Sequence, residues 1–395
     1  MKRIIYITYY FRPDLSAGSF RNSSLAEQLN VILKDKDVVI DLYTTLPNRY
    51  GSFKAEAPVN ETIGNMNIHR ISVPKHKSGM LDQILSYIQF YKTVMKLIAN
   101  KNVDLVFVSS SRLFSAYLGS RIAKKTKAKL ILDIRDIFVD SIKDVIQSKF
   151  LKFLILPFLK KIEKFTFKRA DHINLISPGF NTYFGDYKKC TFSNFTNGID
   201  DEFLDNDILH FKNIPEETTI KIVYAGNIGE GQGLHKIIPQ AAQKLGSNYQ
   251  FIIIGDGGAK HKLESEIINR GINNVKIYSP VERKELFQYY LQAHYLFIHL
   301  NDFDAFKKVL PSKVFELATF NKPIIAGVVG FAAQFIKNEI SNSFVFEPCA
   351  FDKLINYLRN DQSYNLQIDR SIFVNKYKRS NINLEYATFI ANYLN

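Results

Sequence analysis

Apolar positions in this chain are gathered into short runs set apart by polar, helix-patterned stretches. In the first half the runs are RIIYITYY (3–10), DVVIDLYTT (37–45), VDLVFVSS (103–110), AKLILDI (128–134) and ADHINLIS (170–177). Each is rich in Val, Ile, Leu and Tyr and is apolar at consecutive rather than alternate positions. A strand with only one buried face alternates, so these runs predict strands of a parallel sheet covered on both sides. The pattern then restarts with IKIVYAG (220–226), YQFIIIGDG (249–257), NVKIYSP (274–280), YLFIHL (295–300) and PIIAGV (323–328). The expected fold is α/β, with two Rossmann-like doubly wound domains at 1–195 and 218–378. A polar, turn-rich linker (196–217) joins them, and a C-terminal helix at 379–395 ends the chain.

Doubly wound sheets bind ligands beyond the carboxyl ends of their strands, which directs attention to the following loops. After the first strand comes FRPDLSAGSFR, where Gly18 lets backbone N–H groups approach an anion just before a helix start. The first strand of the second half runs into AGNIGEGQGLHKII, where Gly229, Gly231 and Gly233 lie in a polar loop without the G-x-G-x-x-G spacing of a dinucleotide fold. GDGG (255–258) reads as a tight strand-to-helix turn. In KKVLPSKVFELATFNKPII (307–325), Pro311 and Ser312 suit a helix start, with Lys313 and Glu316 in its first turn.

Composition narrows the field. The chain is 46% hydrophobic and has two cysteines, Cys190 and Cys349, far apart in sequence. That excludes a disulfide scaffold and a clustered zinc site, and points to a reducing compartment. Residues 1–200 hold 31 Lys and Arg against 17 Asp and Glu, whereas residues 201–395 hold 21 of each. The entire excess of +14 therefore belongs to the first half, which suggests an anionic ligand or surface. No nucleic-acid motif accompanies it. In FLKFLILPFLKKIEKFTFKR (150–169), Lys160, Lys161, Lys164 and Lys168 share an arc of about 100° with Phe and Leu around the rest. Such a helix suits a membrane interface with its lysines at the headgroups, or a domain helix buried on one side. Pro157 is expected to break or kink it. LDQILSYIQFYKTVMKLI (81–98), beside the basic PKHK, is a second amphipathic candidate. No run is long enough to span a bilayer, and MKRIIYITYYF is expected to be the first buried strand rather than a leader.

Taken together and in order, SAGSFR, SPGF (177–180), NGID (197–200), YAGNIG (224–229), IIGDGG (253–258) and PSKVFELATFNKPII (311–325) resemble the family 4 glycosyltransferases, over nearly the whole chain. ILDIRDIFVDSI and NGIDDEF are similar to the capsule and O-antigen branch that includes N-acetylfucosamine transferases. The resemblance implies a GT-B fold, two domains facing a cleft, with the C-terminal helix crossing back to the first domain. It also implies a retaining enzyme without a metal or other cofactor; DFD (302–304) is read as a chance match to the metal motif of another fold. Glu316 would take the ribose hydroxyls, with Ser312 and Lys313 at the diphosphate. Where the family has a second glutamate eight positions earlier this chain has Lys308, and where it has an Arg and a Lys on the glycine loop this chain has Asn227 and Gln232. Either Lys308 and Lys313 neutralise the leaving diphosphate while Asn227 and Gln232 supply neutral hydrogen bonds, or the site binds without turnover. Arg135 and Asp136 occupy the strand end where the family places a catalytic His or Asp, while Asp133 reads equally as a structural acid. Arg21 would reach the acceptor in the same crevice, or join an interdomain ion pair.

The expected activity is transfer of a sugar, an N-acetylated or deoxy hexose, from a nucleotide-diphosphate donor (UDP by family weight). The acceptor would be a polyprenyl-diphosphate-linked saccharide for capsule or O-antigen synthesis. The expected location is cytoplasmic and peripheral, on the anionic inner face of a bacterial cell membrane. The rival readings are a non-catalytic GT-B-like nucleotide-binding or scaffold subunit, a dinucleotide-dependent oxidoreductase and a nucleic-acid binder.

Overall fold

A computed structural model describes residues 1–48, 55–74, 80–110, 112–145, 148–204, 219–366 and 368–394. The chain divides into two compact units, Met1–Thr196 with Ser380–Asn395, and Asn197–Arg379. Most of the segment expected as a linker, residues 205–217, lies outside the described residues, as does most of the PKHK stretch.

Unit 1 is built on an eight-stranded sheet. Its strands are β1 (Lys2–Thr8), β2 (Val38–Thr45), β3 (Asn60–Ile63), β4 (Met66–Ile71), β5 (Leu105–Ser110), β6 (Lys129–Ile134), β7 (His172–Leu175) and β8 (Thr191–Ser193), in the order β3-β4-β2-β1-β5-β6-β7-β8. All pairs are parallel except the β3–β4 hairpin at one edge. Every residue of β5 is buried, as expected of a central strand with helices on both faces. On one face, helix Ala17–Ile32 and the C-terminal helix Arg379–Asn392 pack through Leu25, Leu29, Tyr386 and Ile390 against Tyr6 and Phe107. Ser16 caps the first of these helices, its Oγ accepting from Ser19 N at 3.1 Å. Across the other face run helices Met80–Leu97, Leu113–Thr126 and Lys149–Lys168. The last continues through Pro157 without a break. Pro157 is exposed, so the carbonyl left without an N–H partner one turn earlier faces water and costs little.

Unit 2 has a six-stranded, wholly parallel sheet: β9 (Ile220–Asn227), β10 (Tyr249–Asp256), β11 (Val275–Tyr278), β12 (Tyr295–His299), β13 (Ile324–Gly327) and β14 (Ser343–Phe346), ordered β11-β10-β9-β12-β13-β14. Separate apolar clusters cover its two faces. In both sheets the order reverses beside the first strand, between β1 and β5 and between β9 and β12. Those reversals are the switch points where a doubly wound sheet offers a ligand crevice.

Candidate functional site

The switch point of unit 2 is opened by strand divergence. β9 registers with β10 over eight positions but with β12 at only two, Ile222–Tyr295 and Val223–Leu296. Beyond them the carboxyl halves of β9 and β12 separate. Lys313 lies at this place: a Cβ on Gly226 would stand 3.8 Å from its Cε. Its ammonium donates to Glu316 Oε1 at 2.7 Å, and the same oxygen accepts from the Tyr290 hydroxyl at 2.8 Å. Tyr290 is fully buried on helix Arg283–Leu291; burial first, and then the Glu316 charge, push its pKa well above the ordinary tyrosine value. It is therefore a fixed hydrogen-bond donor that orients the carboxylate. Burial alone would lower the pKa of Arg283, but Asp200, Glu202 and, more distantly, Glu316 raise it.

The helix carrying this pair is only Lys313–Leu317, and Ser312 enters it with helical angles (φ −61°, ψ −27°) and no side-chain cap. The expected helix start at Ser312 is present, but the helix is a single turn. A single turn aligns few peptide dipoles, so positive charge at this point comes from the Lys313 ammonium instead. Lys308 is half-buried at the end of a short turn, Asp304–Lys308.

Asn227 and Gln232 meet each other across the glycine loop. Asn227 Nδ2 donates to Gln232 Oε1 at 2.7 Å, and Gly229 N adds a longer bond of 3.3 Å to that oxygen. Their first task is thus to shape the loop, and the Gln232 NH2 group is turned away from Asn227. Two residues that the sequence did not single out hold the same loop from β12. His299 donates from Nδ1 to Gln232 O at 2.6 Å while its Nε2 accepts from Cys349 N at 2.9 Å. That pairing fits the neutral ring, and burial lowers the His299 pKa to about 4. Asn301 Nδ2 donates to Glu230 O at 2.8 Å and its N to Gly231 O at 2.8 Å. Polar residues interrupting an apolar strand end, HLN at 299–301, were the available signal. The GDGG turn is backbone packing: a Cβ on Gly255 would lie 1.8 Å from Gly226 O.

In unit 1, Gly18 and Arg135 are brought together at the carboxyl edge. A Cβ on Gly18 would fall 2.2 Å from Arg135 Nη1, so the guanidinium meets the helix start with its Nη1 edge. Asp136 follows, half-buried. Arg21 does not line a crevice; it is fully buried. It bonds Asp133 from Nε and Nη2 at 3.3 and 3.1 Å, and the Thr196 and Phe195 carbonyls at 2.6 and 2.8 Å. Asp133 also accepts from Ser109 and Asn174, each at 2.7 Å. Burial raises the Asp133 pKa, and Arg21 with these donors more than reverses it, leaving it lowered. The expected acceptor ligand is thus a structural ion pair, and it lies within one unit. Beyond β1 and β5, Arg112 stacks on the Tyr9 ring at 4.4 Å and donates to the Tyr10 hydroxyl at 2.8 Å, placing a cation at this switch point that the sequence did not flag. Among the described residues no cluster of His, Cys, Asp or Glu could hold a metal ion.

Residues 205–373 match the family model of the glycosyl transferases group 1. A 101-residue stretch is 33% identical to WcaI of Escherichia coli (strain K12), named as a colanic acid biosynthesis glycosyl transferase; it covers 26% of this chain and 24% of that relative. The match therefore spans about a quarter of the curated protein. In three dimensions the chain is similar to sucrose-phosphate synthase from Thermosynechococcus elongatus, with a TM-score of 0.76, 13% identity and 99% of each chain covered. It is also similar to Anabaena HepE in complex with UDP-glucose, with a TM-score of 0.67 and 14% identity over 99% of this chain and 100% of that one. At these identities the structural likeness speaks for fold alone. The chain is thus similar to the group 1 glycosyl transferases over residues 205–373, and its two parallel sheets are those of a GT-B fold.

Proposed function

We propose that this protein transfers a sugar, an N-acetylated or deoxy hexose, from a UDP-linked donor to a polyprenyl-diphosphate-linked saccharide in surface polysaccharide synthesis, with retention and without a metal. The observation that carries the proposal is the Lys313–Glu316–Tyr290 cluster at the gap between β9 and β12. A carboxylate oriented by Tyr290 accepts a pair of vicinal hydroxyls well, and a ribose offers such a pair. An ammonium has three donors, so Lys313 keeps its bond to Glu316 while donating to a diphosphate. Lys308 adds a second cation as negative charge grows on the leaving diphosphate, the task that oriented charge performs best. Arg135 and Asp136, beside Gly18 at the carboxyl edge of unit 1, are that unit's groups for the reaction. The lipid carrier of the acceptor explains why unit 1 holds the whole positive excess and why the protein would work at an anionic inner leaflet.

Calorimetric titration with UDP, GDP, ADP and NAD tests the donor site. UDP is expected to bind saturably, and Glu316→Ala to weaken it about 100-fold or more, the loss of two charge-assisted hydrogen bonds. Lys313→Ala is expected to weaken UDP far more than uridine. Binding of NAD alone would overturn the proposal. The second reading, a nucleotide-binding subunit without turnover, draws on the mutual bonding of Asn227 and Gln232; UDP binding with no transfer and no donor hydrolysis would favour it.

A further inference from the structure

Two helices of unit 1 expose apolar side chains toward their N-terminal ends and lysines toward their C-terminal ends, with exposed Lys149 in the first turn of Lys149–Lys168 an exception. In Lys149–Lys168, Phe150, Phe153, Leu154 and Phe158 are 73%, 77%, 54% and 61% exposed. Lys160, Lys161, Lys164 and Lys168 are exposed as well. At 100° per residue all eight fall within an arc of about 160°. Leu159, Glu163, Thr166 and Phe167 hold the buried side, so the helix's one acid is absent from the stripe. This corrects the sequence expectation of lysines on one arc and Phe and Leu around the rest. Helix Met80–Leu97 repeats the division: Ile84, Leu85 and Ile88 are exposed first, then Lys92 and Lys96.

The apolar halves also run past the start of the helix packed between them. Both helices precede strands of a parallel sheet, so their N-terminal halves lie toward its carboxyl edge. Tyr117, on helix Leu113–Thr126 between them, contacts Tyr91 at 6.3 Å and Phe165 at 5.8 Å and so marks a common level. From that level the central helix has about 6 Å left before it starts, whereas Lys149–Lys168 has about 24 Å and Met80–Leu97 about 16 Å, at 1.5 Å per residue. The excess, roughly 10 to 18 Å, holds all of these exposed apolar residues except Ile88, which lies just short of it.

We propose that these overhanging helix ends are the membrane contact of unit 1. Their apolar halves insert beneath the headgroups of an anionic bilayer, and the lysines further along each helix engage the lipid phosphates. This rests on the proposed lipid-linked acceptor and gives it an orientation, because the carboxyl edge bearing Gly18, Arg135 and Arg112 then faces the bilayer surface. Charge complementarity selects the occupant: the stripe is apolar and cationic without an acid in Lys149–Lys168, and the positive excess of the chain lies in its first half. No helix among the described residues is long and apolar enough to cross a membrane, so the contact is interfacial.

The chain has no tryptophan, so one introduced residue reports depth alone. Phe153→Trp and Lys164→Trp proteins would be mixed with vesicles of phosphatidylcholine, or of equal parts phosphatidylcholine and phosphatidylglycerol. With the anionic vesicles, Phe153→Trp emission should shift to the blue and be quenched by acyl-chain-brominated lipid, while Lys164→Trp stays water-like. Combined Phe150→Ser, Phe153→Ser and Phe158→Ser changes should lower co-sedimentation with those vesicles by about tenfold or more while UDP titration is unchanged. No shift at Phe153→Trp, or equal shifts at both reporters, would overturn the proposal. So would a blue shift that grows with protein concentration in the absence of vesicles, which would assign the patch to a second copy. Failure of UDP binding with intact vesicle docking would strike the proposed activity and leave this surface standing.

Discussion

Arg21 shows how far a residue's chemistry depends on where the fold puts it. On sequence it is a cation beside a glycine loop, suited to an acceptor; in the fold it is enclosed, bonding one carboxylate and two carbonyls. Arg21→Ala leaves Asp133 buried with its main partner gone, a change expected to cost about 3–5 kcal/mol, read by denaturant unfolding. A fall in activity at unchanged stability would contradict the structural role. Asp133 has a lowered pKa, so its contribution is present above the ordinary aspartate range and is lost as pH falls through the native value. Gly18 is constrained differently. Gly18→Val would displace Arg135 from the helix start, so it should depress transfer while UDP affinity changes by less than about twofold, since Lys313 and Glu316 are untouched. At Glu316 the sequence supplied the carboxylate and its lysine; Tyr290, the buried donor that orients it, was hidden in an ordinary amphipathic helix.

At the scale of elements, helix Lys149–Lys168 joins surface chemistry to an internal proton site. Its buried Glu163 accepts from Tyr183 at 2.7 Å. Burial, together with the charge of Asp140 and against the pull of Tyr183, raises its pKa from 4.5 to about 6. A carboxyl raised in this way binds its proton more tightly in the native state, so stability is full below about pH 4.5 and declines as pH rises through 6. The penalty at neutral pH is about 2 kcal/mol at most. Glu163→Gln should therefore raise Tm at pH 7.5 and leave it little changed at pH 4.5; equal effects at both pH values would refute the assignment. The missed strands are elements too. β3, β8 and β14 are three or four residues long, and β4 (MNIHRI) mixes polar with apolar positions near the sheet edge. Edge strands are specified by neighbours more than by a continuous apolar run. Arg370 is one such neighbour: it bonds the carbonyls of Phe320, Lys322, Ser341 and Asn342, tying together the chain that leads into β13 and β14.

For the whole molecule, the division of charge predicts a division of salt dependence. Screening shortens from about 10 Å at 0.1 M to about 3 Å at 1 M, so added salt should weaken association with anionic vesicles by about tenfold or more. UDP affinity should change less than about threefold, because residues 201–395 are balanced and the Lys313–Glu316 contact acts at hydrogen-bonding range. Vesicle sedimentation and calorimetry across a salt series would measure both. Equal sensitivities would mean that the positive excess of the first half serves the nucleotide rather than a surface.

The sequence by itself determined the two parallel α/β units, because burial on both sheet faces demands short runs of consecutive apolar residues, and here these alternate with polar, helix-patterned stretches. It also determined the Lys313–Glu316 pair, since both side chains lie on one short turn. Only the tertiary structure decided that β9 and β12 diverge at the switch point and that Tyr290 orients Glu316. It alone withdrew Arg21 from the surface and laid Phe150, Phe153 and Phe158 on the same exposed stripe as the lysines. These outcomes depend on which side of a helix or strand meets a partner distant in sequence, and local periodicity carries no record of that partner.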